Sequence, residues 1–148
     1  MKSICLYFAV HQPVRLRKIR FFDIGNSDYC YDDYQNECIL QKVAQNCYLP
    51  ANKLILELIH KYRGQFKVAF SISGTAIDQF KIYAPQVIDS FKELAATGCV
   101  EFVAETFSHS LAAIKDTAEF KKQVKLNADT IETLFGAKPT VFANTELI

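Results

Sequence analysis

Pro139-Thr-Val-Phe-Ala143 runs directly into Asn144-Thr-Glu-Leu-Ile148. The first of these stretches is short, apolar and β-branched, and reads as a strand over Thr140 to Ala143. A carboxylate, Glu146, therefore stands just past the carboxyl end of a strand, where α/β folds place their chemistry. On its own, a Glu at a strand exit is more often a solvated rim residue. The fold is decided by whether the same arrangement recurs upstream.

It does recur. Val100 to Ala104 reads as a strand and leads into Glu105-Thr-Phe-Ser-His109. Phe66 to Ile72 reads as another and ends in Ser73-Gly74-Thr75. Ile4 to Val10 is a continuous apolar run, expected of a central strand covered on both faces, and His11-Gln12-Pro13 ends it. Helical periodicity fills the intervals. Glu37 to Asn46 suits a first helix, and Pro50 opens a second, with Leu54, Ile55, Leu58, Ile59 and Tyr62 at helical spacing and Gly64 closing it. Pro85 starts another, carrying Val87, Ile88, Phe91, Leu94 and Ala95, and Gly98 ends it. The longest runs from Thr117 to Phe135, with Phe120, Val124, Ile131, Leu134 and Phe135 inward and Gly136 as terminator. No element is assigned between Thr75 and Pro85.

Strands alternating with helices point to an α/β fold with parallel strands and right-handed crossovers. In such a sheet the carboxyl ends share one edge. His11, Ser73, Glu105 and Glu146, far apart in sequence, are then expected to converge there.

The totals fit a single domain over residues 1–148, large enough for a sizeable core. A net charge of +1 gives no field directed at nucleic acid or an anionic membrane, and no stretch is long and apolar enough to span a bilayer. The apolar run after Lys2 is too short for a secretion signal and has no cleavage site after it. Five cysteines, none in C-x-x-C spacing, suit a reduced cytoplasmic setting in which most act as small hydrophobes. Cys30, Cys38 and Cys47 match no common zinc spacing.

Glu146 is the leading nucleophile or acid–base candidate, and Asn144 can orient it or bond a substrate hydroxyl. Glu105 is either a second active-site carboxylate or a loop residue paired with a lysine. Glu101, inside a strand, ranks lower. His11 and His109 are each structural histidines or site residues, and with two carboxylates they can also compose a metal site. His60 lies in the polar stripe of its helix. The connection after His11 is long for a compact domain, which favours a functional role. Gly25-Asn26-Ser27-Asp28 signals a turn within it. Its basic run, Arg15, Arg17, Lys18 and Arg20, is interleaved with Leu16 and Ile19, which suggests one packed side. Tyr29, Tyr31 and Tyr34 beside Asp28, Asp32 and Asp33 suit a sugar platform, or else decorate a surface loop.

Three passages together resemble the amino-terminal part of family 57 of the glycoside hydrolases, in its α-amylase-like branch. They are His11-Gln12-Pro13 continuing through Arg20-Phe-Phe-Asp-Ile24; Val100-Glu-Phe-Val-Ala-Glu-Thr-Phe-Ser-His-Ser-Leu111; and Phe142-Ala-Asn-Thr-Glu-Leu-Ile148. The resemblance implies a retaining hydrolase or transferase acting on α-glucans or malto-oligosaccharides, on an incomplete seven-stranded β/α barrel of which this chain supplies the first four strands. It implies Glu146 as nucleophile, and His11, Gln12, Glu105, His109 and Asn144 near the sugar. It implies no metal and no cofactor.

The family's acid/base Asp lies on a later strand, and the chain ends two residues after Glu146. The expectations are a chain truncated after the nucleophile strand, inactive alone, with an open sheet edge that invites self-association. Two other readings stand beside this one. A non-catalytic half-barrel would bind carbohydrate or dock to a partner. A metal-dependent polysaccharide deacetylase would need an Asp beside His11, which is missing.

Overall fold

The computed structural model describes residues 4–25 and 28–147. Lys2, the turn residues Asn26 and Ser27, and Ile148 lie outside the described residues. Four parallel strands, β1 (Tyr7–Val10), β2 (Val68–Ile72), β3 (Val100–Ala104) and β4 (Val141–Phe142), form one sheet in the order β1-β2-β3-β4. Ala9 pairs with Ser71, Ser71 with Val103 and Val103 with Val141, so the strand tips share one edge. The expected α/β partial barrel is present.

Successive residues of a strand point to opposite faces. Phe70 and Phe102 therefore lie on the same face, where they meet the helices α4 (Pro85–Ala96) and α5 (Thr117–Phe135). The ring of Phe102 stacks on Phe135 at 4.7 Å, and Phe70 meets Phe91 edge-on at 5.3 Å. Burying each such ring contributes about 1.5–3 kcal/mol. On the opposite face Tyr7 and Ser71 share a hydroxyl–hydroxyl bond of 2.7 Å.

Four expectations need correction. First, β1 is an edge strand: Tyr7 and Phe8 are 45% and 43% exposed, and among the described residues no strand lies on its other side. A continuous apolar run shows that both faces can be buried. It does not show that a neighbour runs alongside.

Second, the helix after the long connection begins earlier, as α1 (Asp33–Val43), capped by the Asp32 carboxylate, which accepts from the Gln35 amide. A five-residue π segment, Ala44–Tyr48, joins it to α2 (Leu49–Lys61) with helical backbone throughout. Pro50 has no N–H to give, and the widened turn, with the Leu49 amide reaching the Ala44 carbonyl, carries the rod across it.

Third, a helix that lacked a sequence assignment, α3 (Gly74–Tyr83), starts directly at the tip of β2, with the Ser73 hydroxyl accepting from the Ala76 amide as its cap. Fourth, the Leu16 side of the basic run is not packed. Leu16 is 64% exposed, while Arg15 and Arg17 are half-buried. Backbone pairing sets that orientation: an antiparallel bridge joins Leu16 to Tyr31, Arg17 donates to the Cys30 carbonyl, and Asp32 donates to the Arg15 carbonyl. The connection is a short ribbon over α1, anchored by buried Asn36, which bonds the backbone of Arg15 at both N–H and C=O.

The thiols also differ from expectation. All five are free, but Cys5, Cys38 and Cys47 are exposed, the first ahead of β1 and the other two on the helical rod.

Candidate active site

Each strand tip delivers one polar side chain to the shared edge, and a second set of polar groups fixes it there. After β1, His11 Nδ1 lies 2.8 Å from the Ser73 hydroxyl and 3.4 Å from that of Thr75. Ser73 is buried because it caps α3, so the helix start and the imidazole are fixed by one oxygen. Gly74 comes next because nothing larger fits: a Cβ there would fall 2.2 Å from the Phe107 ring.

After β3, the chain turns tightly through Thr106–His109, with the His109 amide donating to the Thr106 carbonyl. This turn puts His109 in the left-handed region at φ 52°. For a non-glycine residue that conformation costs on the order of 1 kcal/mol, a strain that persists where surrounding contacts enforce it. They do so here. The Thr106 hydroxyl accepts from the Ser110 amide and bonds the Thr145 hydroxyl at 2.9 Å, joining the β3 and β4 tips. Asn127 of α5, fully buried, donates to the Ile72 carbonyl and accepts from the Glu105 amide, joining the tips of β2 and β3.

These supports bring four of the expected residues together. The His11 and His109 rings stack at 4.0 Å, inclined by 16°. His109 Nδ1 is 2.9 Å from Glu105 Oε2, and its Nε2 is 3.8 Å from Glu146 Oε1. Glu105, His109 and Glu146 therefore form a line of carboxylate, imidazole and carboxylate against the face of a second imidazole.

The two carboxylates differ in environment. The Glu105 side chain is 5% exposed and that of Glu146 is 70% exposed. Glu146, like His109, has a left-handed backbone, at φ 56°. Burial pushes the Glu105 carboxyl above the usual range, against the opposing pull of its His109 bond and charge and of the Ser71 hydroxyl. Glu105 Oε1 is buried without a full hydrogen bond. His11 is held below the usual imidazole range, first by burial and then by facing His109, while Glu146 draws it up.

Of the other two expected residues, Gln12 is engaged elsewhere. Gln12 turns its amide to the Tyr48 hydroxyl at 3.2 Å, and its carbonyl accepts from Gln79. Asn144 is half-buried two residues before Glu146. Glu101 is exposed, and His60 is exposed on α2. Among the described residues no three His, Cys, Asp or Glu side chains are grouped to hold a metal ion.

Residues not singled out by sequence are the supports Asn127, Thr75 and Gly74 with Phe107. A serine followed by glycine at a strand tip is an N-cap signal, and would have located α3 and Thr75. An asparagine on the apolar stripe of α5 was the signal for Asn127.

Four parallel strands in sequence order, alternating with helices, define a segment of a β/α barrel, with imidazoles and carboxylates gathered at its carboxyl edge. The chain belongs to glycosyl hydrolase family 57, whose family model matches residues 5–148. A putative alpha-amylase of Methanocaldococcus jannaschii is 42% identical over 148 residues, covering 98% of this chain and 31% of that protein. The chain thus spans about a third of the length of this curated relative.

Among solved structures, the 4-alpha-glucanotransferase of Thermococcus litoralis superposes with a TM-score of 0.66 at 19% identity, over 91% of this chain and 18% of that one. A family 57 branching enzyme of Thermococcus kodakaraensis, crystallised with glucose, gives 0.63 at 14% identity, over 96% and 33%. The alpha-amylase AmyC of Thermotoga maritima gives 0.62 at 12% identity, over 99% and 36%. At these identities the structural likeness speaks for the fold.

Proposed function

We propose that the chain is the nucleophile-bearing, amino-terminal part of a retaining glycoside hydrolase or glucanotransferase acting on α-glucans. The observation that carries this reading is the Glu105–His109–Glu146 line at the shared strand edge, with His11 stacked against it. The exposed Glu146 attacks the anomeric carbon. The glycosidic C–O bond breaks, its electron pair stays on the leaving oxygen, and a glycosyl ester forms on Glu146. Buried Glu105 orients His109, whose other nitrogen faces Glu146. His11, Gln12 and Asn144 serve the sugar.

A retaining glycosidase needs a second carboxyl about 5 Å from the first to protonate the leaving oxygen. Glu105, tied to His109, is assigned to positioning. The acid/base residue then comes from a later strand end of the barrel, outside these 148 residues. The uncovered edge strands then associate with that further chain or, in its absence, with one another.

A substrate whose leaving group needs no proton tests Glu146 directly. Incubated with α-maltosyl fluoride, the chain is expected to release fluoride and gain one maltosyl mass, located on Glu146 by peptide mass spectrometry. The chain carrying Glu146→Gln should gain none. Labelling that survives Glu146→Gln would overturn the assignment, as would hydrolysis of unactivated α-glucan by the isolated chain.

A further inference from the structure

Beside the strand edge, a groove of about 330 Å³ lies between the ribbon and α3, at the small end of the size range of ligand pockets. Tyr29, Tyr31 and Tyr83 line it, together with Asp33, Thr75 and Gln79.

Three observations make this groove more than a crease. The first is preorganisation. Asp33 accepts from the Tyr29 hydroxyl at 2.5 and 2.6 Å, through both carboxylate oxygens, and from the Tyr83 hydroxyl at 3.2 Å. The ribbon and α3 are therefore bound to the start of α1 through one carboxylate, and the Tyr31 ring meets Tyr29 edge-on at 5.6 Å. The Tyr29 hydroxyl is pushed up to about 12 by the Asp33 bond, so it remains a donor at any physiological pH. The second is an acceptor without a partner. Gln79 is 5% exposed, its amide nitrogen donates to the carbonyls of Gln12 and Thr75, and its Oε1 has no hydrogen-bond partner. A buried acceptor left in that state costs about 1–3 kcal/mol, and it belongs to a residue that lines the groove. The third is continuity. Thr75 lines the groove and its hydroxyl also reaches His11 at 3.4 Å, while Gln79 holds the carbonyl of Gln12.

Flat rings held in place, beside carboxylate and amide groups, suit the alternating apolar faces and hydroxyl rims of pyranoses. We propose that the Tyr29–Tyr31–Tyr83 groove binds glucosyl units of the same α-glucan chain whose reacting bond lies at Glu146, and so makes affinity depend on chain length. This rests on the reading of Glu146 given above. The occupant is a neutral oligosaccharide rather than a peptide, because the groove offers rings and hydroxyl partners with no cation among its lining residues.

The test is a titration of the isotopically labelled 148-residue chain with maltoheptaose, followed by amide NMR shifts. The expected result is two sets of shifted amides, one over Glu105–Ser110 and one over Tyr29–Asp33 with Asp78–Tyr83. Tyr31→Ala, at a half-exposed side chain that leaves the fold intact, should weaken maltoheptaose binding roughly three- to tenfold. Tyr83→Phe, which keeps the ring and removes one bond to Asp33, should weaken it about twofold. Shifts confined to Glu105–Ser110, or unchanged affinity in Tyr31→Ala, would overturn the groove and leave the Glu146 reading intact. Shifts confined to the groove would support sugar binding there and count against the Glu146 reading. No shift at either place would overturn both.

Discussion

At the amino end of the sheet, β2 and β3 enter after Gly64 and Gly98, both left-handed, and a hollow of about 370 Å³ opens between Ile4, Leu6, Val68 and Glu101. There the Cys99 thiol lies 3.7 Å from the Gly64 carbonyl and 3.6 Å from that of Thr97. At the carboxyl end the space is more open, with Glu146 largely in solvent, yet Ser73, Asn127, Thr106 and Thr145 link all four strand tips. There the left-handed positions are occupied by His109 and Glu146, residues that do not adopt that conformation cheaply. At the amino end Arg63, just before Gly64, is left-handed too, at φ 49°, so backbone strain alone does not separate the two ends. What separates them is the linking of polar groups from one strand tip to the next at the carboxyl end.

The sharpest way to break this contrast is at two glycines. Gly74→Ala should destabilise the chain by about 3 kcal/mol, because Phe107 and the capped start of α3 leave the new methyl no room. Gly98→Ala at the amino end meets no atom within 4 Å, and only its φ of 67° opposes the change, so about 1 kcal/mol is expected. Urea denaturation of both variants measures the difference. Equal losses would mean the two ends are equally constrained.

Asn127→Ala comes next. It leaves the Ile72 carbonyl and the Glu105 amide without their buried partner, a loss of about 2 kcal/mol, while Thr97→Ala at the amino end should cost about 1 kcal/mol or less. A change in the His109 NMR resonances of Asn127→Ala is also expected, since Glu105 would lose its anchor. Unmoved resonances would show the Glu105–His109 bond to be independent of α5.

The smallest effect is in pH dependence. His11 titrates below its ordinary value of 6.5 in the folded chain, so the unfolded chain binds its proton first as pH falls. The stability that His11 contributes is complete above 6.5 and declines as pH drops through its folded value. Glu105 has the opposite sign. Its raised value makes the folded chain the better proton acceptor, so its contribution is complete below 4.5 and is lost as pH rises through the folded value. Thermal unfolding of His11→Gln across pH 5–7.5 should show less loss on acidification than the unsubstituted chain. An unchanged slope would place the His11 ring in a more solvated setting.

Much of this was legible in the sequence, and the reasons are local. Val100–Ala104 and Thr117–Phe135 carry their periodicity and terminators openly, and both elements match their expected limits. The convergence of His11, Ser73, Glu105 and Glu146 followed from parallel strands alone. Helix α3 was hidden because Ser73-Gly74-Thr75 reads equally as a turn, and only the packing of Phe107 on Gly74 makes it a helix start. The edge position of β1 was hidden because residue order in a strand says nothing of its neighbours. In the ribbon, Leu16 faces out because its backbone bridge to Tyr31 overrides side-chain preference.

Ser73 has few tolerable replacements. Its oxygen both begins a helix and holds an imidazole, so fraying of the first and tilting of the second share a single point of failure. Threonine can keep both bonds and alanine keeps neither. A mutational scan of the strand tips should therefore find a narrow alphabet at this supporting hydroxyl, one layer beneath the imidazoles and carboxylates of the shared edge.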